Sequence, residues 1–141
     1  MGVNKFNSEK YSDPTAYEAL RKIEAEEKKQ PFRPIVYICS PFAGDIESNI
    51  LRAQGYCRFA VTRDTIPFAP HLLFPQFLDD DDKVQRERGL FFGIVFLCKC
   101  HEIWVFGRKV SKGMAVEIEK AKRRGIPIRY FNDRCEEVNA I

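Results

Sequence analysis

Short apolar runs alternate with longer stretches of helical periodicity along most of this sequence. Four runs rich in β-branched and aromatic residues lie at 35–39, 65–70, 101–106 and 126–131. Between them, apolar residues recur three and four positions apart, as on one face of a helix. Strand and helix in alternation are typical of an α/β fold with a parallel sheet and right-handed crossovers. We predict a single-domain, Rossmann-like or flavodoxin-like three-layer fold, with a mainly parallel sheet of four to five strands and an additional N-terminal helix.

The sequence also predicts where the helices lie. After a loose arm at 1–12, a charged helix with a narrow apolar stripe ends before Pro31 and Pro34, because proline cannot continue a helix. Such a stripe suits packing either on the outside of the domain or against a second subunit. We therefore divide the chain into an arm and amphipathic helix, 1–33, and an α/β domain, 34–141. Further helices are predicted at 46–63, 83–99 and 111–124.

The helix predicted at 83–99 ends in an almost wholly apolar stretch, LFFGIVFLC, whose turns we expect to be buried. The segment before it, HLLFPQFLDDDD, is a hydrophobic loop with an acidic end, which is typical of a lid or a contact surface.

Composition narrows the class of partner. The net charge of +3 over 141 residues does not by itself indicate nucleic acid or a membrane surface, and the basic KAKRR segment has no interleaved aromatic residues. No apolar run approaches the ~20 residues of a membrane span, and the N-terminus does not have a signal-peptide pattern. Five cysteines, an odd number within predicted apolar elements, favour reduced thiols. We expect a cytoplasmic protein without a membrane partner, with nucleic acid an unlikely ligand.

A strand that runs directly into a helix marks the expected site. Ile103–Phe106 is followed by Ser111, a good N-cap residue, and then by Gly113, which would let a ligand approach the backbone. Ligands of open α/β sheets bind where strands end and helices begin. Glu117, within the first two turns of that helix, is therefore a candidate for chemistry. The alternative is an ordinary exposed glutamate, ion-paired within EIEKAKRR.

The first strand, VYICSPFAG, together with the late SKGMAVEIEKA, resembles the nucleoside 2-deoxyribosyltransferase-like superfamily. That superfamily includes the 2'-deoxynucleoside 5'-phosphate N-hydrolases, and the similarity is greatest to an uncharacterised phage- and bacteria-associated branch. The resemblance covers about residues 34 to 131. It implies an enzyme that breaks or transfers an N-glycosidic bond of a nucleoside or nucleotide, works as a homodimer or larger homo-oligomer, and needs no cofactor.

The resemblance also implies site residues. Glu117 would be the nucleophile that attacks the sugar, and Tyr37 would orient it. A serine at 111, where deoxyribosyltransferases have an aspartate, suits a 5'-phosphate and points to a nucleoside monophosphate. The other expected substrate-binding residues are Ser40, Pro41, Phe42, Gly44, Asp45, His71, Gly113 and Met114.

Each of these residues also has a purely structural interpretation. Tyr37 suits a buried core position, and Asp45 and Ser111 suit helix N-caps. His71 suits a loop histidine bonded to the backbone, as well as an acid, a base or a phosphate partner.

Two positions depart from the superfamily. The acid/base aspartate, counted back from the third strand, falls on Gly93, and His101 stands where relatives have an acidic residue. A proton donor for the leaving base typically supplies about 10²–10⁴-fold in rate. His71, Asp79 or another residue of the acidic loop would have to substitute. The glycine favours a rival interpretation, a protein that binds a nucleotide or nucleotide-derived signal without turnover.

Two further possibilities come from single segments. The first is a protein-interaction module that uses the N-terminal helix and the FPQFL loop. The second is zinc binding by Cys98, Cys100 and His101, but structural zinc sites add a second ligand pair elsewhere, and the sequence offers none. We therefore predict no metal.

Overall fold

The computed structural model describes residues 14–141. The chain divides into two compact units, and the boundary between them in the sequence lies between Phe32 and Arg33. In the described part of the first unit, helix α1 spans Pro14–Lys29. The arm predicted at 1–12 lies outside the described residues, and the assignment of separate roles to the two segments stays a prediction.

The second unit contains all the other elements. In chain order they are β1 (Ile35–Cys39), α2 (Ile46–Thr62), β2 (Ile66–Phe68), two short 3₁₀ helices (Pro70–Leu72 and Phe74–Gln76), α3 (Lys83–Leu97), β3 (Glu102–Phe106), α4 (Lys112–Arg124), β4 (Ile128–Phe131) and β5 (Glu137–Val138). The ends of the predicted elements differ from these by at most two residues, and β1 matches at both ends. Strand β5 was not predicted, because two residues are too few to form a pattern.

The strands form one sheet in the order β2-β1-β3-β4-β5. The first three pairings are parallel, and only β4 and β5 pair antiparallel. The predicted fold class is confirmed. The order reverses beside β1, since the chain goes first to β2 on one side and then to β3 on the other. In such sheets the crevice outside the carboxyl ends of the two strands, here β1 and β3, is where ligands bind.

Alternate residues of the central strands face opposite sides of the sheet. Tyr37 and Cys39 of β1 join the core under α3 and α4, whereas Val36 and Ile38 join the core under α2. This follows from the two-residue repeat of a strand, and continuous apolar runs are expected where both faces are covered. The register therefore directs the hydroxyl-bearing side chain of Tyr37 toward the side of the sheet where α4 packs.

Helix α3 contradicts one expectation. Its later turns were predicted to be buried, yet of its last turns only Gly93 and Leu97 are buried, and Phe91 is 63% exposed. These two buried residues are four positions apart and lie on one stripe. Beside that stripe, Phe96 stacks on Phe68 of β2 with ring centroids 4.6 Å apart, so the helix surface next to it is covered only in part. An apolar run without periodicity does not tell which residues will find a partner. The other large apolar residues left exposed there are Leu90, Phe92, Val95 and Phe96.

Side-chain caps begin the three helices of the second unit. The carboxylates of Asp45 and Asp82 accept backbone N–H groups at the starts of α2 and α3, and the hydroxyl of Ser111 accepts that of Met114 at 3.3 Å. Such a cap contributes about 1 kcal/mol. Helix α4 ends at Gly125, whose φ of +68° is a left-handed conformation that favours glycine.

Within residues 14–141, no helix combines the length and the apolar character that crossing a membrane requires. All five cysteines are free thiols.

Candidate active site

A cavity of about 390 Å³ opens at the carboxyl end of β1. Its wall comes from the β1–α2 loop, the two 3₁₀ helices, α3 and the first turns of α4. Most of the wall is apolar, with polar groups at a few positions. A concave, mainly apolar site with convergent polar groups is the usual form of a small-molecule pocket.

Glu117 and Tyr37 meet at this cavity. Glu117 is only 3% exposed, and its Oε2 atom has no hydrogen-bond partner among the described residues. Burial raises the pKa of Glu117 from 4.5 to about 7, and a hydrogen bond from Tyr37 partly opposes the rise. Burial, together with the charge of Glu117, raises the pKa of Tyr37 well above its usual value. Near pH 7 the site therefore holds a carboxyl group that is about half ionised beside a neutral tyrosine.

Glu117 is therefore not an exposed, ion-paired glutamate. That description fits Glu119, whose carboxylate lies 3.2 Å from the Nε atom of Arg123 on the surface. The sequence placed Glu117 at the edge of the apolar face of α4. In the structure it is one of the four buried residues of that helix, with Met114, Ile118 and Ala121.

Gly93 of α3 lines the same cavity, beside Tyr37. A β-carbon at this position would lie 2.9 Å from the hydroxyl oxygen of Tyr37, closer than side-chain carbons normally approach another atom. A carboxylate side chain at 93 would thus require the buried tyrosine to move. This gives a physical reason for the glycine at the position where the resemblance implies an acid/base aspartate.

His71 forms another part of the wall. Its Nε2 atom lies 3.0 Å from the carbonyl oxygen of Ser40, and its ring stacks on Phe42 with centroids 4.8 Å apart. Since a carbonyl oxygen only accepts, Nε2 carries the proton, and Nδ1 of the neutral ring is an acceptor. Burial lowers the pKa of His71, although the Ser40 carbonyl and the charge of Asp80 act in the opposite direction. His71 therefore offers an acceptor at neutral pH.

Asn49 holds the loop that follows β1. Its side-chain amide donates to the carbonyl oxygens of Phe42 at 2.8 Å and Ala43 at 3.1 Å, and the residue is buried. Gly44 takes a φ of +98°, which glycine tolerates best, and Asp45 caps α2. The loop is thus fixed at both ends before any ligand binds. Sequence reasoning missed Asn49, because an asparagine inside a helix carries no pattern that would single it out.

Ser111 stands where the first cavity meets a second one. The second cavity, of about 620 Å³, lies between the loops that follow β1 and β3 and shares Ala43 and Ser111 with the first. The Ser111 hydroxyl caps α4, so its structural role is established by geometry. Its exposure leaves it accessible to a ligand as well.

The predicted site residues separate into three groups. Seven of them line the first cavity: Tyr37, Phe42, His71, Ser111, Gly113, Met114 and Glu117. Pro41 and Asp45 line the second cavity. Ser40 and Gly44 line neither. The Ser40 side chain is 2% exposed, and its Oγ atom has no partner among the described residues.

Several charged residues at the cavities were not predicted. Arg86, Glu87 and Lys112 are those of the first cavity, which Asp80, a residue of the predicted acidic loop, also lines. Arg52, Arg108 and Lys109 line the second. Arg108 and Lys109 follow the carboxyl end of β3, so the rule that placed the site at that edge of the sheet could have found them. Asp79, the named substitute for the missing acid, lines neither cavity.

His101, considered as a zinc ligand, has a structural contact instead. Its Nδ1 atom accepts the backbone N–H of Ile35 at 2.9 Å, and its own backbone N–H donates to the carbonyl of Ile35 at 2.8 Å. These bonds join the residue before β3 to the start of β1. Within residues 14–141, no group of three or more metal-ligating side chains is found.

Comparison with known proteins adds two findings. The fold is similar to the structure of a 2-deoxyribosyltransferase from the psychrotolerant bacterium Bacillus psychrosaccharolyticus, with a TM-score of 0.55 and 17% sequence identity over 74% of this chain and 77% of that one. At this identity the likeness shows the fold alone, and both the superfamily and its phage and bacterial branch stay predictions. The comparison with curated proteins found no match. A family model for a domain of unknown function, DUF7768, matches residues 34–131, and the chain therefore belongs to that family.

Proposed function

We propose that this protein is an N-glycosidic bond hydrolase or transferase that acts on a nucleoside monophosphate or a similar nucleotide-like ligand. The observation that carries the proposal is the buried carboxyl of Glu117, which lines a mainly apolar cavity beside the hydroxyl of Tyr37. A buried acid with a raised pKa in a cleft is a candidate functional group, because active sites use burial to adjust the pKa of a reacting group at a cost in stability.

Glu117 is the proposed nucleophile. Its ionised carboxylate oxygen attacks the anomeric carbon, the bond from that carbon to the base nitrogen breaks, and the electron pair leaves with the base. Water, or the nitrogen of a second base, then attacks the same carbon and releases the carboxylate. Tyr37 acts as the positioning residue, since its hydroxyl donates to the carboxylate and favours the ionised form.

The cavity wall suggests where the rest of the ligand lies. A planar base suits the apolar side formed by Phe42, Phe74 and Leu90, where the stacked pair of Phe42 and His71 presents an aromatic edge. A phosphate suits Ser111 and Lys112, at the start of α4, since helix N-termini favour anions.

The departing base needs a proton, and position 93 does not supply one. Three titratable side chains on the cavity wall are candidates for this role: His71, Asp80 and Glu87. The charge of Asp80 favours the protonated form of His71, against the larger effect of burial. We propose His71 in its protonated form as the donor, because it belongs to the same wall as Phe42, on whose ring it stacks.

The test is release of free base from a panel of ribo- and deoxynucleoside monophosphates. Wild-type protein is expected to release base from at least one of them, and Glu117→Gln is expected to lower the rate by about 10³-fold or more. Glu119→Gln, on the same helix but exposed and ion-paired, is the matched control and should keep the wild-type rate. Equal rates in wild type and Glu117→Gln would contradict the proposal.

A second candidate is a nucleotide-binding protein without turnover. It is favoured by Gly93, which leaves the site without the acid/base carboxylate that the resemblance implies. If no base is released while a monophosphate raises the melting temperature of wild type and of Glu117→Gln alike, binding is the function of the cavity.

We also propose that the domain forms a homodimer or larger homo-oligomer through the exposed apolar face of α3. That face continues the cavity wall, since Leu90 and Gly93 line the cavity while Phe91 and Val95 of the same helix are exposed. Exposed apolar patches of this kind mark contact surfaces. Phe91→Asp should shift sedimentation toward the monomer. A wild-type protein that itself sediments as a monomer would contradict the proposal.

A further inference from the structure

The second cavity is basic. Arg52 of α2 and the pair Arg108 and Lys109 after β3 lie on its wall, and all three are exposed to solvent. It adjoins the first cavity at Ser111 and Ala43, which belong to both walls. A ligand seated in the first cavity can therefore extend into the second past the start of α4.

The acidic residues on this wall do not neutralise it. Asp45 accepts the backbone N–H of Ser48 as the cap of α2, and Asp133 pairs with the Nε atom of Arg108 at 2.9 Å. Among the residues that the structure describes, no salt bridge includes Arg52 or Lys109. Beside the hydrogen bonds from Ser48, the charge of Arg52 helps to lower the pKa of Asp45, so the wall carries three cations against two carboxylates, and Lys109 has no carboxylate partner among these residues.

The backbone adds to this charge. Helices α2 and α4 both begin at this wall, with Asp45 and Ser111 as their N-caps. The N-terminus of a helix carries a partial positive charge and favours anions. Three cations against two carboxylates, beside the start of α4, suit an anionic group.

We propose that the second cavity binds a further anionic group on the 5' side of the ligand, so that a nucleoside diphosphate binds more tightly than the corresponding monophosphate. The first phosphate lies at Ser111, and the next one lies between Arg52 and Lys109. The position of the nucleoside rests on the proposed function, whereas the anion site rests only on the second cavity.

Inorganic pyrophosphate is the probe for the anion site, because it carries the charge without a base. In calorimetric titration of the full chain, Arg52→Gln and Lys109→Gln are each expected to weaken pyrophosphate binding several-fold, and the double variant about tenfold or more. Arg58→Gln, an exposed arginine of the same helix away from the cavity, is the matched control and should bind as wild type does. Circular dichroism verifies that each variant is folded.

The diphosphate is tested with matched deoxynucleoside mono- and diphosphates. Wild type is expected to bind the diphosphate about tenfold more tightly, and the double variant should bind the two alike. Absent pyrophosphate binding, undiminished binding by the double variant, or equal wild-type affinity for both nucleotides would overturn the proposal. Glu117→Gln should bind pyrophosphate normally, so a failure of the glycosidic chemistry and a failure of the anion site are seen separately.

Discussion

The two cavities share a wall but differ in chemistry. The first is mainly apolar and contains a buried carboxyl group, Glu117, whose charge is disfavoured by its surroundings. The second is lined by exposed cations, of which Arg52 and Lys109 have no salt bridge among residues 14–141. Ser111 and Ala43 separate them.

From this difference we infer that the two cavities have different roles. A desolvated carboxyl group is costly for the fold and suited to reaction, while solvated cations cost little and suit recognition of an anion. Each cavity can therefore be perturbed separately, and residues on the shared wall should affect both.

The largest expected effect on stability concerns the first cavity alone. The pKa of Glu117 is raised, so folding disfavours its ionised form. Its contribution to stability is full below the unfolded pKa of 4.5 and is lost as pH rises through about 7. Replacing it by a neutral isostere, Glu117→Gln, should stabilise the fold at pH 8 by about 3 kcal/mol, with little effect at pH 4.

Denaturant unfolding of wild type and Glu117→Gln at pH 4, 6 and 8 measures this difference. Glu119→Gln should show no such pH dependence, because Glu119 is exposed. If the difference in unfolding free energy between Glu117→Gln and wild type were the same at pH 4 and at pH 8, the carboxyl group would not be desolvated.

The shared wall is tested by Asn49→Ala. The substitution removes two hydrogen bonds, to the carbonyls of Phe42 and Ala43, and should destabilise the fold by about 2 kcal/mol. Because the loop borders both cavities, nucleotide and pyrophosphate binding should both weaken. Gln54→Ala, an exposed position on the same helix, is the control for thermal unfolding. If binding weakened at only one cavity, Asn49 would not support both cavities through this loop.

Gly93→Ala perturbs the first cavity only. The added carbon meets the Tyr37 hydroxyl at 2.9 Å, and overpacking of this kind should cost about 1–2 kcal/mol, more than the helix gains from alanine. Turnover should fall and its pH dependence should shift, since Tyr37 supports the ionised form of Glu117. Gly55→Ala in α2, where the nearest atom is 3.9 Å away, should instead stabilise slightly. Melting curves of the two variants measure the change in stability. Pyrophosphate titration measures whether the second cavity is unaffected.

The smallest effect is expected at the boundary. Ser111→Ala removes the cap of α4 and should cost about 1 kcal/mol of stability. If Ser111 also contacts phosphate, Ser111→Asp, which keeps a capping side chain, should restore stability but weaken nucleotide binding. If Ser111→Asp restored both the stability and the nucleotide affinity of wild type, Ser111 would have only its structural role.

Helix α3 shows where sequence reasoning failed. Its apolar run was expected to be buried, and the exposed position of Phe91 contradicts this. Hydrophobicity measures the preference of a side chain for burial, whereas actual burial depends on a partner surface elsewhere in the chain or in another molecule. On the charged wall of the second cavity, Lys109 could have been found from its place after β3, whereas only packing brings Arg52 of α2 to the same wall.

The sequence by itself determined the alternation of elements, the parallel sheet and the edge at which a site would lie. Those features follow from local periodicity and from capping residues such as Ser111 and Asp45, which bond to backbone groups only a few positions away. Only the tertiary structure decided that Glu117 is buried beside Tyr37, that Gly93 must be small, and that a second, basic cavity adjoins the first. These depend on contacts between segments far apart in the chain, and desolvation, which sets the pKa of Glu117, arises only when those segments pack together.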